Sequence, residues 1–399
     1  MIGVPAYSHS LPSPKQLTHK AIRYTETLIS KASVTPYDAG CQAWVAQKLQ
    51  QLGFHIEQYD DHGVTNTIAS LSNSKPVLAL AGHTDVVPPG DLERWQTDPF
   101  SPVINNGMLI GRGAVDMKSG VAVMLAALED HIQTHGRPQQ NWLFLLTSDE
   151  EGEAEYGTQS IVQKLQQRDQ LPQYCLIAEP TADNQAGDVI KIGRRGAISG
   201  HLVITGKQGH VAYPDKAINA VHLSGQISFA LSQLTWDTGS EDFPGTSLQV
   251  TYVNSGEFSD NLVPARCEIW FNLRYSHRYD VDMINTRIRL AVEQVLANSG
   301  ASYQLSWQRD CQPYHIADIE DKSASLITKV EQAIVDVTQR FPRLSTSGGT
   351  SDGRFLSSAQ TQVIELGLPN KTIHQVNERV SLAQVVRLYD IYRKLLQQF

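Results

Sequence analysis

Short unbroken apolar runs alternate with amphipathic stretches through the first half of the chain. Val77–Ala81, Trp142–Leu146 and Tyr174–Ala178 are short and carry no charge, so they read as strands buried on both faces. Segments of helical period lie between them. Gln42–Gln51 places Trp44, Val45 and Leu49 on one side with Gly53 just past its end, and Gly120–Ile132 is rich in Ala, Val, Met and Leu. The alternation predicts an α/β fold, a mixed, mostly parallel sheet with helices on both faces. His83, Glu150, Glu151 and Glu179 each follow one of these strands. In an open α/β sheet such positions meet at the carboxyl edge, where ligands bind.

The pattern changes after Arg195. Ala197–Thr205 alternates like a half-exposed strand, Ala217–Leu234 is helical, and Ser247–Val253 and Cys267–Leu273 are strands. Val281–Ala297 is a helix and Ser302–Gln308 a last strand. The order β-α-β-β-α-β is the ferredoxin-like plan, so residues 196–310 are expected to form an inserted α+β domain. Residues 1–195 and 311–399 then make one discontinuous domain, with His374 in its returning part.

A length of 399 residues exceeds what one core usually supports and agrees with two domains. Hydrophobic residues at 41% and charged residues at 19% describe a folded globular protein. The net charge of −8 argues against a nucleic-acid partner, which needs a concentrated basic face. An anionic substrate must be attracted by local arginines and metal, not by the overall field. No apolar run approaches the roughly 20 residues that cross a bilayer, so no membrane partner is expected. Met1–Lys20 lacks the cationic start and apolar middle of a signal peptide, and its Pro5, Tyr7, Pro12 and Pro14 suggest a poorly ordered lead-in. Cys41, Cys175, Cys267 and Cys311 are widely scattered, which favours buried free thiols and a cytoplasmic setting.

His83, Asp116, Glu150, Glu151, Glu179 and His374 supply four carboxylates and two imidazoles. Carboxylates gathered in one cleft repel unless protonated or neutralised by cations. Mixed imidazole and carboxylate donors suit zinc, cobalt or manganese better than an all-oxygen calcium site. Asp116 lies in a glycine-rich loop just before a predicted helix. It can cap that helix, or bridge two ions about 3.5–4 Å apart with its two oxygens. Glu150 and Glu151 are adjacent and cannot point the same way from an extended segment. One can hold metal while the other faces a nucleophilic water as general base. The Gly348 loop lacks the Lys-Ser/Thr ending of a phosphate-binding loop.

From about Leu28 to Leu395 the chain resembles the M20 family of di-zinc deacylases and peptidases. The resemblance is carried by Ser33-Val-Thr-Pro36, Gly82-His-Thr-Asp-Val-Val-Pro-Pro-Gly90, Asp98-Pro-Phe-Ser-Pro102, Gly111-Arg-Gly113 with Asp116-Met-Lys118, and Thr147-Ser-Asp-Glu-Glu-Gly152. Later matches are Gly193-Arg-Arg-Gly196, Gln208-Gly-His-Val-Ala-Tyr-Pro214, Phe271-Asn-Leu-Arg274, Gly348-Gly-Thr-Ser-Asp-Gly-Arg-Phe355 and Ile373-His-Gln-Val-Asn-Glu378.

The resemblance implies two zinc ions per subunit, replaceable by cobalt or manganese. One would be held by His83, Asp116 and Glu179, the other by Asp116, Glu151 and His374. Asp85 would hydrogen-bond His83 and fix its tautomer, and Glu150 would be the general base. It also implies a homodimer joined through the inserted domain, which would act as a lid and carry His210 to the partner's active site. Arg194, Arg274, Asn261, Gly349 and Thr350 would bind substrate, the arginines as carboxylate clamps; a salt bridge holding the domain junction is the alternative for the Arg194-Arg195 pair. The implied reaction is hydrolysis of N-succinyl-LL-2,6-diaminopimelate, a small molecule, to succinate and LL-2,6-diaminopimelate. Another deacylation within the family, such as that of acetylornithine, or a non-catalytic dimeric scaffold, is the alternative. Ala197 stands where a serine is common, removing one possible hydrogen bond, and Asp260 precedes Asn261 where Asn-Asn is usual.

Overall fold

The computed structural model describes residues 19–240, 244–316, 325–358 and 360–399. The lead-in before His19 lies outside the described residues. The chain divides into two compact units. The first comprises Met1–Gly193, Ile316–Ser345 and Ser351–Phe399, and the second Arg194–His315 with Thr346–Thr350. Thus Gly349 and Thr350, expected in the discontinuous segment 311–399, belong to the second unit.

The first unit is built on an 8-stranded sheet. Its order is His55–Asp61, Val64–Ser70, Asn141–Thr147, Pro76–His83, Tyr174–Ile177, Gln362–Glu365, Val189–Lys191 and Arg343–Ser345. The central pairings of Pro76–His83 with Asn141–Thr147 and Tyr174–Ile177 are parallel, as is that of Tyr174–Ile177 with Gln362–Glu365. The first two strands form an antiparallel hairpin that the apolar runs alone did not reveal. Asn141–Thr147 and Tyr174–Ile177 are buried at every position, because helices pack against the sheet. Cys41–Gln51 and Thr158–Gln167 pack on Val64–Ser70, whereas Lys118–His135 packs on Pro76–His83 and on Lys20–Ile29 and Leu382–Leu396. Each Leu or Phe so buried contributes about 1.5–3 kcal/mol.

The start of helix Lys118–His135 lies very close to the end of Tyr174–Ile177. A Cβ on Gly120 would stand 2.4 Å from the Ala178 carbonyl oxygen, so only glycine permits the approach. This brings the Asp116 loop beside Glu179.

The second unit is a four-stranded antiparallel sheet in the order Ser247–Asn254, Arg266–Tyr275, Gly196–Thr205, Ser302–Cys311. Numbered along the chain that order is 2-3-1-4, as the ferredoxin-like plan requires. Burial alternates along Arg266–Tyr275. Cys267, Ile269, Phe271 and Leu273 form a core with Ile198, Leu202 and Ile204, onto which Ile227 of helix Ala220–Ser232 and Ile288 of helix Val281–Leu296 pack. The four cysteines are buried and form no disulfide.

Candidate metal centre

Backbone topology places the ligand candidates before any side chain is considered. His83 ends one central strand, Glu150 and Glu151 follow the next by a few residues, and Glu179 follows a third. The parallel pairing points these ends the same way. Asp116 closes the loop before helix Lys118–His135, whose N-cap is Met117 and not Asp116. The capping alternative for Asp116 is therefore not adopted, and its carboxylate is free to face the strand ends. His374 enters from the segment before Arg379–Ser381 and holds a positive φ of 59°. A non-glycine residue in that region persists only when its surroundings hold it there.

Asp116 lies between two imidazoles. Its Oδ1 is 3.2 Å from His83 Nε2 and its Oδ2 is 3.4 Å from His374 Nε2. Glu179 Oε1 stands 3.5 Å from His83 Nε2, and Glu151 Oε1 stands 3.1 Å from His374 Nε2. The ligand atoms of His83, Asp116 and Glu179 lie within 4.8 Å of one another, as do those of Asp116, Glu151 and His374. Asp116 is the member common to both groups. Two groups of mixed nitrogen and oxygen donors sharing one two-oxygen ligand fit a pair of divalent cations.

The electrostatics agree with that fit. Burial opposes charge on His83, yet its contacts with Asp116, Asp85 and Glu179 raise its pKa well above the ordinary value. Hydrogen bonds to Asp116 and Glu151 push His374 up to about 10. Burial works against ionised Asp116, but His374 and His83 hold its carboxyl well below the usual range. The cluster favours positive charge.

Glu150 behaves differently from these candidate ligands. Its Oε2 is 4.0 Å from His83 Nε2. Burial and the neighbouring charge of Glu179 raise its pKa well above the carboxylate norm. A raised carboxyl pKa favours acceptance of a proton, as a general base requires. The backbone amides of Glu150 and Glu151 donate to the Asp85 carboxylate, at 3.2 and 3.1 Å for Oδ2. His83 Nδ1 lies 2.9 Å from the Asp85 main-chain oxygen and 3.4 Å from its carboxylate. Asp85 therefore orients His83 mainly through its backbone, while its carboxylate anchors the Glu150-Glu151 turn.

Other buried charges carry no signal in the sequence. Asp352 lines a small cavity with His83, Glu150, Thr158 and Glu179, and burial pushes its carboxyl up to about 6. Arg112 and Glu378 form a buried ion pair at 2.8 Å. Both acids lie inside strings that carry the family resemblance, Gly348–Phe355 and Ile373–Glu378. Nothing in residue type alone distinguishes them from solvated acids.

The remaining candidates lie in the second unit. His210 is exposed and pairs with Leu262 in a short two-stranded ribbon, and Val211 N donates to the Asn261 carbonyl at 3.2 Å. His210 and Asn261 are thus neighbours. Arg274 is half-buried near the end of strand Arg266–Tyr275, opposite Ala197 and Ser247. Its charge, after burial, holds the Arg195 guanidinium below its usual value. Arg194 is buried and donates to the Ser347 carbonyl at 3.2 Å, beside exposed Gly349 and half-buried Thr350. Arg194, Arg195 and Arg278 line part of a cavity of about 320 Å³, together with Asp237.

Comparison with known proteins identifies the family. The sequence profile of peptidase family M20/M25/M40 matches residues 79–398. Succinyl-diaminopimelate desuccinylase 2 of Shewanella loihica is 61% identical over 378 residues, covering 95% of this chain and 100% of that protein. The crystal structure of aminopeptidase PepT from Bacillus cereus aligns with a TM-score of 0.75 at 18% identity, over 95% of this chain and 98% of that one. The YXEP protein of Bacillus subtilis, a dinuclear metal-binding peptidase of the M20 family, aligns with a TM-score of 0.70 at 14% identity, over 94% and 96%. At such identities the two solved structures speak for the fold.

Proposed function

The chain belongs to peptidase family M20/M25/M40, and on that premise we propose that it hydrolyses N-succinyl-LL-2,6-diaminopimelate to succinate and LL-2,6-diaminopimelate. The observation that carries the reading is Asp116, whose two oxygens face two imidazoles, each group completed by a glutamate. The substrate follows from the relative that shares 61% of its residues across its whole length. His83, Asp116 and Glu179 would hold one zinc, and Asp116, Glu151 and His374 the other, with cobalt or manganese able to substitute. When bound, such ions polarise an amide carbonyl and acidify water.

Glu150 takes the proton of the attacking water at its carboxylate and returns it to the departing amine. Burial and the neighbouring charge of Glu179 raise the pKa of that carboxyl, which favours its acceptance of the proton. Asp85 holds the backbone of the doublet so that Glu150 and Glu151 diverge. Arg194 and Arg274, with Asn261, Gly349 and Thr350, bind the carboxylates of the substrate, a task suited to the planar guanidinium fork. The partner subunit's His210 stabilises the oxyanion. Closure of the second unit, acting as lid, excludes water.

A homodimer through the second unit is supported by its surface. Ser247–Asn254 is an edge strand with Tyr252 and Val253 about half exposed, and Phe229 on helix Ala220–Ser232 is 67% exposed. Apolar edges of this kind are normally covered. No helix of the described residues is long and apolar enough to cross a membrane. The cytoplasm, where the diaminopimelate pathway would use the product, is the proposed location.

Turnover of succinyl-diaminopimelate and of acetylornithine by protein of known metal content tests the reading. Preferred hydrolysis of the succinylated substrate, abolished by a chelator and restored by zinc, is expected. Preference for acetylornithine would reassign the substrate, and full activity in metal-free protein would end the two-cation account.

A further inference from the structure

We infer that Glu378 is a positioning residue for the shared ligand Asp116, and that both cation sites are built upon this one buried carboxylate. The inference rests on the two-cation reading above. Glu378 is fully buried. Its Oε1 accepts hydrogen bonds from the amides of Val115 at 2.7 Å and Asp116 at 3.1 Å. Its Oε2 accepts from the Gly113 amide at 3.0 Å and from Arg112 Nη1 at 2.8 Å. The main chain leading into Asp116 is therefore wrapped around a single side chain from a distant segment. Converging amides of this kind form a concave anion cradle. Gly113 allows the wrap with a φ of +84°, where a Cβ would meet Lys118 Cδ at 2.8 Å and Val86 Cγ1 at 2.9 Å.

The same carboxylate reaches the other ligands through its place in the chain. Glu378 lies four residues after His374, in a stretch where His374 and Asn377 both have φ of 59°. Asn377 pins this stretch by accepting from Gln96 N at 2.7 Å and donating to the Arg94 carbonyl at 3.2 Å. Arg112 also donates to the Gln375 carbonyl at 3.3 Å and to the Pro88 carbonyl at 3.3 Å. The Arg112–Glu378 pair thus joins the turn carrying His374, the loop carrying Asp116 and the segment just after His83. Rotation of the peptide before Asp116 would displace both of its oxygens, one from each imidazole. Losing Glu378 should weaken both sites together, whereas losing Glu179 or Glu151 removes one ligand from one site.

The full-length chain, stripped by a chelator and titrated with Co²⁺ by calorimetry and visible absorption, tests this. Wild type should take two ions. Glu378→Gln keeps the size of the side chain but turns an acceptor into a donor facing amide or guanidinium groups. It should lose roughly 10–100-fold in affinity at both sites, with the cobalt absorption of both altered and part recovered in Glu378→Asp. Glu179→Gln, the comparison variant, should weaken one site. Arg112→Met combined with Glu378→Met removes both buried charges, a change such pairs often tolerate, and keeps the test valid if the single variant does not fold. It too should weaken both sites. Two ions bound at wild-type affinity in Glu378→Gln or in the double variant would overturn the inference, as would weakening of one site alone. Wild type that takes up fewer than two ions would instead bring down the two-cation reading, and this inference with it.

Discussion

The two sheets of this protein carry polar chemistry in different places. In the first unit the strands Asn141–Thr147 and Tyr174–Ile177 are buried along their whole length, so ionisable groups are confined to positions past their ends. In the second unit one face of the sheet is covered by helices, burial alternates, and polar residues such as Ser199, His201, Glu268 and Arg274 stand within the strands themselves. A doubly covered sheet gathers its chemistry at one edge, and a singly covered sheet spreads it over a face. The first arrangement makes a compact multivalent centre. The second presents separated charges and hydrogen-bonding groups.

The largest effect that would break this contrast lies at the sheet edge. Glu150→Gln should lower turnover by about 10²–10⁴-fold while leaving metal content unchanged. Near-normal turnover would remove the chemical role from that edge. Next come the two interiors. Phe144→Ala, fully buried in the first sheet, should cost about 3–5 kcal/mol in denaturant unfolding. Trp270→Ala, on the open face of the second sheet where its ring stacks 4.1 Å from His201, should cost no more than about 1 kcal/mol. Equal costs would show that the open face is covered in solution.

Arg274→Ala sharpens the contrast at the level of substrate. Loss of a charge-assisted contact of about 1.5–3 kcal/mol corresponds to roughly 10–100-fold in preference for a succinylated over an acetylated substrate. Unchanged selectivity would place the clamp elsewhere. The smallest effect belongs to the surface pair Glu57–Arg168, whose contacts are 2.6 and 2.9 Å. The Arg168 hydrogen bonds hold the Glu57 carboxyl below its ordinary 4.5. A depressed folded pKa stabilises the protein above the unfolded value and loses that contribution as pH falls through the folded one. Glu57→Gln should therefore destabilise by less than about 1 kcal/mol at neutral pH, and the difference should vanish in acid. A difference that persists in acid would mean that packing, not charge, is responsible.

Legibility divides along the same line. The candidates His83, Glu179 and the Glu150-Glu151 doublet are readable because each terminates or succeeds an uninterrupted apolar run, and parallel runs of that kind deliver their last residues to a common edge. Arg194, Arg274 and His210 emerge through resemblance alone, since polar residues on half-exposed strands and loops look like solvated ones. The hairpin His55–Ser70 escapes notice because its first strand is mostly polar and carries no apolar run. Glu378 and Asp352 escape for a related reason, as the burial that distinguishes them is created only by packing.

Sequence by itself determined the α/β class, the ferredoxin-like order of the second unit and the residue types of a cation-binding cluster. Periodicity and donor chemistry are local properties, fully written in the order of residues. Only tertiary structure decided that Asp116 faces two imidazoles at once, that the Asp85 carboxylate anchors the glutamate doublet, and that Glu378 holds the Asp116 loop. Those facts depend on distances between segments far apart in the chain, fixed when the sheet and its helices close around their shared core.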